Sequence, residues 1–365
     1  MALKRCRECG LPLRLSRNYV WPGNGTVFSR RDPSMRMLIF EAGYYPYAWL
    51  QLEERLGLSI SEVMIRGQQA SSWDYIENNI LNRWLKYVLR LLPGMMVFNR
   101  VIKETTLFGF GSMEILEYRK GKHVVVRLRQ PFDVISLAWG FKGILDFVEK
   151  GNSRLAWIEE DGDYILTISL VPGPWVEGVD AKSMRAVREA KRELSLVGKL
   201  LPAEEGKGEP CVKCGLPSAL TELEWKEDEG TIIRRENESR FTFSSGHVLV
   251  GLIKELEKRT GRDLETFLVE MTKNYHLRNL QGLSIGGRNE IYREAARQLF
   301  ARGYGNVMSY YCGEGHLEMT IGNPFYIPRL VGRIAGLFEY VEGQEADIRY
   351  DTPKAQILEL EIKTA

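Results

Sequence analysis

No run of about 18 consecutive apolar residues occurs in the 365-residue chain, so no segment is expected to span a bilayer. The opening MALKRCRECG lacks the apolar stretch of a secretion signal, which points to a cytoplasmic protein. Cysteine is scarce at five residues, and all but one fall in Cys-x-x-Cys pairs. That usage suits metal binding, not the disulfide framework of a secreted domain. Neither sign of charge dominates: 50 basic and 48 acidic side chains leave a net charge of +2. A protein devoted to nucleic acid would carry a strongly positive surface, so that role is disfavoured. The sequence also lacks a P-loop, an ordered Ser-His-Asp set and a His-Glu-x-x-His word. The acidic WIEEDGDY lacks EF-hand spacing and reads as a hairpin turn at Asp161-Gly162. What is present, 44% apolar and 27% charged residues, is the composition of a globular chain long enough for two domains.

The chain repeats itself. CRECGLPL beginning at Cys6 returns as CVKCGLPS at Cys211, 205 residues later. At the same offset Gly25-Thr26-Val27 matches Gly230-Thr231-Ile232. IFEAG ending at Gly43 then corresponds to FTFSSG ending at Gly246, and LQLEERLG to LIKELEKRTG. Gly109-Phe110-Gly111 parallels Gly303-Tyr304-Gly305, and His123 parallels His316. QPFDVISLAWGFKGILDFVE aligns without gaps to NPFYIPRLVGRIAGLFEYVE, sharing Pro131/Pro324, Phe132/Phe325 and Gly143/Gly336. So many matches in one order indicate tandem duplication. The copies occupy residues 1–172 and 206–365, with a helical linker over 173–205 whose helix formers run from Ala181 to Leu200, the alternative being a flexible linker with nascent helix.

Each copy reads as α+β. A cysteine knuckle is followed by a short hairpin (GTVFSRR, then MRMLIF) and by helices over YPYAWLQLEERLG, from Ser61, and over NNILNRWLKYVLRLLP. In the last, Leu81, Trp84, Leu85, Val88 and Leu92 share one helical face. Strands SMEILEY and HVVVRL, a helix from Pro131 to Glu149 and a closing hairpin complete an antiparallel sheet backed by helices.

The knuckles carry the clearest chemistry. Two thiolates on a tight turn reach one ion, and the following glycine lets the backbone turn beneath it. A structural zinc takes four ligands and one knuckle supplies two. If the copies pack about a pseudo-twofold axis, Cys6, Cys9, Cys211 and Cys214 converge on a single tetrahedral zinc site. A redox dithiol normally opens a helix, and the Gly-Leu-Pro after each pair speaks against that. Completion of each pair by a second chain stays open.

Other residues support plainer readings. Cys312, unmatched in the first copy, reads as an inert thiol. His123 and His316 begin equivalent strands and read as hydrogen-bonded surface or core-edge residues, with a ligand role in a pocket as the alternative. His276 has no counterpart, which removes support for a duplicated haem site. Basic residues near the first knuckle (Lys4, Arg5, Arg7, Arg14, Arg17, Arg30, Arg31) could hold phosphate backbones, but the equivalent stretch of the second copy is acidic, and a solvated face is the better reading.

The Gly109-Phe110-Gly111 turn, the strand into Gln130-Pro131-Phe132 (Asn323-Pro324-Phe325 in the second copy), the helix with Gly143 and Gly336, and the terminal hairpin resemble the 4-vinyl reductase-like domain, a family of hydrocarbon-binding proteins. The resemblance covers about two thirds of each copy. It implies α+β modules that enclose small apolar molecules, often as dimers; some members sense aromatic compounds, and others are linked to vinyl reduction on bacteriochlorophyll precursors. Sensor members hold zinc through cysteines of the last hairpin, and RLAWIEEDGDYILTISL and ADIRYDTPKAQILELEI contain none. That site is therefore not carried over.

The expectation is a zinc-stabilised, non-catalytic binding or sensor protein for an apolar small molecule. Tyr44, Tyr45, Trp49, Trp84, Met95, Met96 and Phe98 are candidates to line its cavity or simply to fill the core. The alternatives are an enzyme or accessory acting on a tetrapyrrole or aromatic substrate, and a zinc-dependent nucleic-acid or protein-interaction module. Further pairing of whole chains stays open.

Overall fold

In a computed structural model, the structure describes residues 3–80, 94–173, 181–196, 198–204, 207–280 and 286–365. The expected Leu81–Leu92 helical face lies outside these residues. Along the chain come α1 (Leu13–Asn18), β1 (Tyr19–Val20), β2 (Phe28–Ser29), β3 (Met37–Glu41), α2 (Tyr44–Leu56) and α3 (Ser61–Tyr75). A π-helical turn at Ile76–Ile80 extends α3; then follow α4 (Gly94–Leu107), β4 (Ser112–Arg119), β5 (His123–Arg129), α5 (Val134–Glu149), β6 (Asn152–Glu160) and β7 (Asp163–Val171). Helix α6 (Ala181–Ser195) occupies the expected linker. The rest comprises a 3-10 turn at Ser218–Glu222, β8 (Leu223–Lys226), β9 (Thr231–Arg234), β10 (Arg240–Ser245), α7 (His247–Thr260), α8 (Glu265–Leu280), α9 (Arg288–Ala301), β11 (Asn306–Gly313), β12 (His316–Gly322), α10 (Ile327–Glu342), β13 (Ala346–Lys354) and β14 (Ile357–Thr364). The architecture is α+β. Sheets β4-β5-β7-β6 and β11-β12-β14-β13 share one antiparallel strand order.

Two expected elements are adjusted. Helix α5 starts at Val134, not Pro131, because the Asp133 carboxylate accepts from the Ile135 N–H and caps the helix there. The first-copy hairpin is reduced: β2 pairs with β1, and Phe28 meets Arg36 only through an isolated bridge. The turn between β6 and β7 is as read, with φ of 52° at Asp161 and 80° at Gly162.

Contacts gather the chain into two compact units, and each draws on both sequence copies. One comprises Met1–Arg5, Phe40–Lys191 and Glu222–Leu256; the other comprises Cys6–Ile39, Arg192–Thr221 and Glu257–Ala365.

In the first unit, Phe98, Val124, Val126, Leu128, Phe141 and Leu166 fill a core between the sheet and α3, α4 and α5. Apolar residues at alternate positions of β5 turn to this core, as a half-buried strand requires. Helix α5 comes so near α3 that a Cβ on Gly143 would lie 3.0 Å from the Gln69 Cα, and the Trp73 indole N–H donates to the Gly143 carbonyl at 2.7 Å. The second copy's β8, β9 and β10 then complete the unit. The Trp225 indole donates to the Leu107 carbonyl at 3.0 Å, and the Phe243 N–H to the Phe108 carbonyl at 2.8 Å. Arg240 donates to the carbonyls of Gly109 and Gln130. The Gly111 N–H donates to the Gly230 carbonyl at 2.9 Å, so closely that a Cβ on Gly230 would meet the Gly111 oxygen at 2.2 Å. Asp74 and Lys191 form an ion pair inside this unit, their side chains only 2% and 5% exposed.

The second unit repeats the scheme with the copies exchanged. Trp21 donates to the Ala301 carbonyl at 2.9 Å, and the Ile39 N–H to that of Arg302 at 3.0 Å. Arg36, fully buried, donates to the carbonyls of Gly303, Asn323 and Pro324. A Cβ on Gly25 would lie 2.2 Å from the Gly305 carbonyl carbon. Helix α10 meets α8 across Gly332 and Gly336, where added Cβ atoms would fall 2.3 and 2.6 Å from the carbonyls of Val269 and Lys273.

Two outcomes follow from this exchange. Gly25→Ala and Gly230→Ala, at φ of 76° and 64°, should each cost at least about 1–3 kcal/mol from backbone strain, read as a lower denaturation midpoint; unchanged midpoints would contradict the close approaches. Residues 1–200 and 201–365 expressed apart should each lack cooperative unfolding and regain it on co-expression. A half that melts cooperatively alone would refute mutual completion.

Candidate metal centre

Each knuckle is built by the same local hydrogen bonds. In the first, the Cys6 N–H donates to the Leu11 carbonyl at 2.8 Å and the Gly10 N–H to that of Cys6 at 3.0 Å. In the second, the Cys211 N–H donates to the Leu216 carbonyl at 2.9 Å and the Gly215 N–H to that of Cys211 at 2.8 Å. Gly10 and Gly215 share φ = 73°, in the left-handed region that a side chain disfavours. No atom would touch a Cβ at either position, so dihedral preference alone asks for glycine.

All four cysteines belong to the second unit. Their Sγ atoms lie within 4.8 Å of one another. Cys6 Sγ is 3.9 Å from Cys211 Sγ, and Cys9 Sγ is 3.4 Å from Cys214 Sγ. Both short approaches join equivalent residues, as a local twofold axis demands. Sulfurs bonded at about 2.3 Å in a tetrahedron stand about 3.8 Å apart, close to both distances. The four cysteines are near enough to hold a metal ion.

Electrostatics favour a cation here. Backbone N–H groups, chiefly that of Cys9 and then that of Glu8, lower the Cys6 pKa to about 7. Burial instead pushes the thiols of Cys9 and Cys214 upward by disfavouring the charged thiolate, and contacts with the sulfurs of Cys6 and Cys211 add to the rise. A metal would supply the countercharge. Equivalent positions between the paired cysteines hold Glu8 and Lys213, whose side chains meet at 2.9 Å. Alignment of the two knuckles shows opposite charges at that position, a pairing the sequence reading passed over.

The remaining candidates do not join this centre. His123 Nε2 lies 3.2 Å from Glu117 and holds that carboxyl below its usual range. His276 stands edge-on to Tyr275, with Arg333 3.4 Å from its Nε2. The Cys312 thiol donates to Asn289 at 2.8 Å, and burial raises its pKa, the reverse of an activated nucleophile. His316 falls instead into a cluster with Glu318 and Glu361.

Tyr44, Tyr45, Trp49 and Phe98 are buried. Tyr45 packs on Phe40, Trp49 and Phe132, and the Trp49 indole donates to Asp133 at 3.0 Å. Met96 is exposed, and Trp84 lies outside the described residues. Two cavities in the second unit have other linings. One, of about 610 Å³, opens on the outer sheet face beside Tyr310, Tyr311, Met319, Arg349 and Tyr350. The other, of about 260 Å³, lies among Trp21, Gly25, Glu204, Lys207 and Phe300. Among the described residues no helix is long and apolar enough to cross a membrane. No protein-family model and no curated protein matches the sequence.

Metal uptake at pH 7 should release at least two protons, those of Cys9 and Cys214, whose raised pKa values keep them protonated beforehand. Apparent affinity should therefore fall as pH is lowered. Titration of metal-free protein in weak buffer with pH recording checks both; uptake without acidification would show that these thiols are not ligands.

Proposed function

We propose that the protein is a zinc-stabilised binding protein for an apolar small molecule, without catalytic chemistry of its own. The observation that carries the metal half is the convergence of Cys6, Cys9, Cys211 and Cys214, two from each copy, at spacings suited to one tetrahedral ion. Four thiolates leave no open position for substrate, which makes the ion a structural one. It cross-links the starts of the two copies, and such a site asks for the reducing conditions of a cytoplasm.

The ligand half rests on the resemblance of both copies to the 4-vinyl reductase-like domain. The residues behind it have structural roles that fit such a module. Gly143 and Gly336 let helices close over the sheets, and the Gly109 and Gly303 turns seat the strands received from the other copy. The aromatic assembly of Phe40, Tyr45, Trp49, Phe110 and Phe132 is the apolar surface best placed to meet a planar guest.

Elemental analysis of purified protein should show one zinc per chain that is lost when the cysteines are replaced, and a loss of two would sink the shared site. Cys9→Ser or Cys214→Ser should abolish stoichiometric zinc and cost more than about 4 kcal/mol of stability, in the range of lost metal sites. Native mass spectrometry followed by solvent extraction should reveal a co-purified apolar compound. An empty protein that also ignores a library of hydrophobic ligands would remove the ligand half and leave the zinc half standing.

A further inference from the structure

We infer that His316, Glu318 and Glu361 form a second metal site, for a divalent transition cation bound by one imidazole and two carboxylates. The inference stands independently of the proposed function.

The sheet register brings these groups together. His316 and Glu318 are two residues apart on β12 and share one face, and Glu361 on β14 is paired directly opposite Glu318. Like charges directly opposite on adjacent strands are destabilising, so the pairing calls for a cation. Lys363 supplies part of the charge by binding Glu361. Its side chain is 46% exposed and can withdraw to solvent when an ion takes its place.

The histidine supplies the second observation. His316 is 28% exposed, and its Nε2 lies 3.1 and 3.4 Å from carboxylate oxygens of Glu318 and Glu361, so both carboxylates converge on one imidazole nitrogen. Donors bonded to one ion at about 2.0–2.2 Å, at angles of about 90–110°, are separated by about 2.8–3.6 Å. Both distances lie within that range, and the three donor atoms lie within 4.8 Å of one another.

Comparison of the copies sharpens the assignment. The first copy keeps the histidine, His123, but Val125 and Thr167 occupy the facing pair that corresponds to Glu318 and Glu361. The carboxylates belong to the second copy alone. An imidazole with two carboxylates suits zinc, manganese or iron(II) better than calcium, which prefers oxygen throughout. Glu318 and Glu361 also line the 610 Å³ groove, so the ion would sit at its edge.

Manganese(II) is the probe, because it is paramagnetic and, as the weakest binder of its series, does not displace zinc from four thiolates. Full-length protein that keeps zinc at its four thiolates, with weaker sites cleared by a mild chelator, should on titration with manganese remove one equivalent of the free-ion electron paramagnetic resonance signal. Electron spin-echo modulation of the bound ion should show one imidazole nitrogen. Glu318→Gln/Glu361→Gln should weaken binding at least tenfold, with cysteine-bound zinc and circular dichroism unchanged. Should the double variant fold poorly, the wild-type nitrogen coupling still decides. Absence of binding at millimolar manganese, absence of nitrogen coupling, or equal affinity in a folded double variant would each overturn the assignment.

Discussion

The fold depends on backbone meeting backbone with no side chain between. Gly230 against Gly111, and Gly25 against Gly305, are contacts that any Cβ would obstruct at 2.2 Å. Through each, one copy's early strands enter the sheet-and-helix body that begins with the other copy's late helices. An arginine secures each entry. Arg240 and Arg36 spend their donors on main-chain carbonyls of the turn they cover, including those of Gln130 and Asn323, held at φ of 48° and 52°. Burial lowers the pKa of both guanidinium groups. Two terminal nitrogens spread over several fixed carbonyls make arginine, and not lysine, the residue for this position.

This exchange changes what the cysteine centre accomplishes. Both knuckles lie in the second unit, so an ion there ties the first copy's opening to the second copy's opening within one body. The cysteines it joins are about 200 residues apart along the chain, and a cross-link of that span restricts the unfolded state strongly. On the scale used for disulfides the effect is roughly 5 kcal/mol. The folded state asks little in return, because identical turn hydrogen bonds shape each knuckle from its own neighbours. Strand exchange and an ion at this centre would thus reinforce each other, each bringing together segments that the chain keeps far apart.

Much of this was legible in the residues. The repeated Cys-x-x-Cys-Gly words predicted convergence of four thiols, because half a tetrahedral site implies its complement. Asp161-Gly162 predicted its turn, and helix formers predicted α6. The destination of the early strands was not legible. Local pattern fixes which face of a strand is apolar, but an apolar face fits its own copy's body or the other's equally well when the copies are alike. The aromatic positions were ambiguous for a related reason: Tyr45 and Trp49 look the same in a cavity wall and in a core, and here they pack on each other. The His316 cluster escaped notice because Glu361 lies on a strand 45 residues further along, and only strand register makes it a neighbour.

Where the copies agree, the shared residues are architectural: glycines at close approaches, arginines over turns, cysteines in the knuckles. Where they differ, the differences have chemical content. Glu8 and Lys213 turn a symmetric position into an ion pair. Asp133 caps α5, whereas Tyr326 precedes α10 and Pro328 opens that helix instead. His123 pairs with one carboxylate, that of Glu117, while His316 has two, from residues that line a groove. Duplication supplies two frames from one set of packing rules, and specialisation then needs only the outward face of one sheet to change. Residues facing outward can change without disturbing the glycine contacts, since those are made of backbone. The second copy's outer sheet face is therefore one place where this chain departs from its own symmetry.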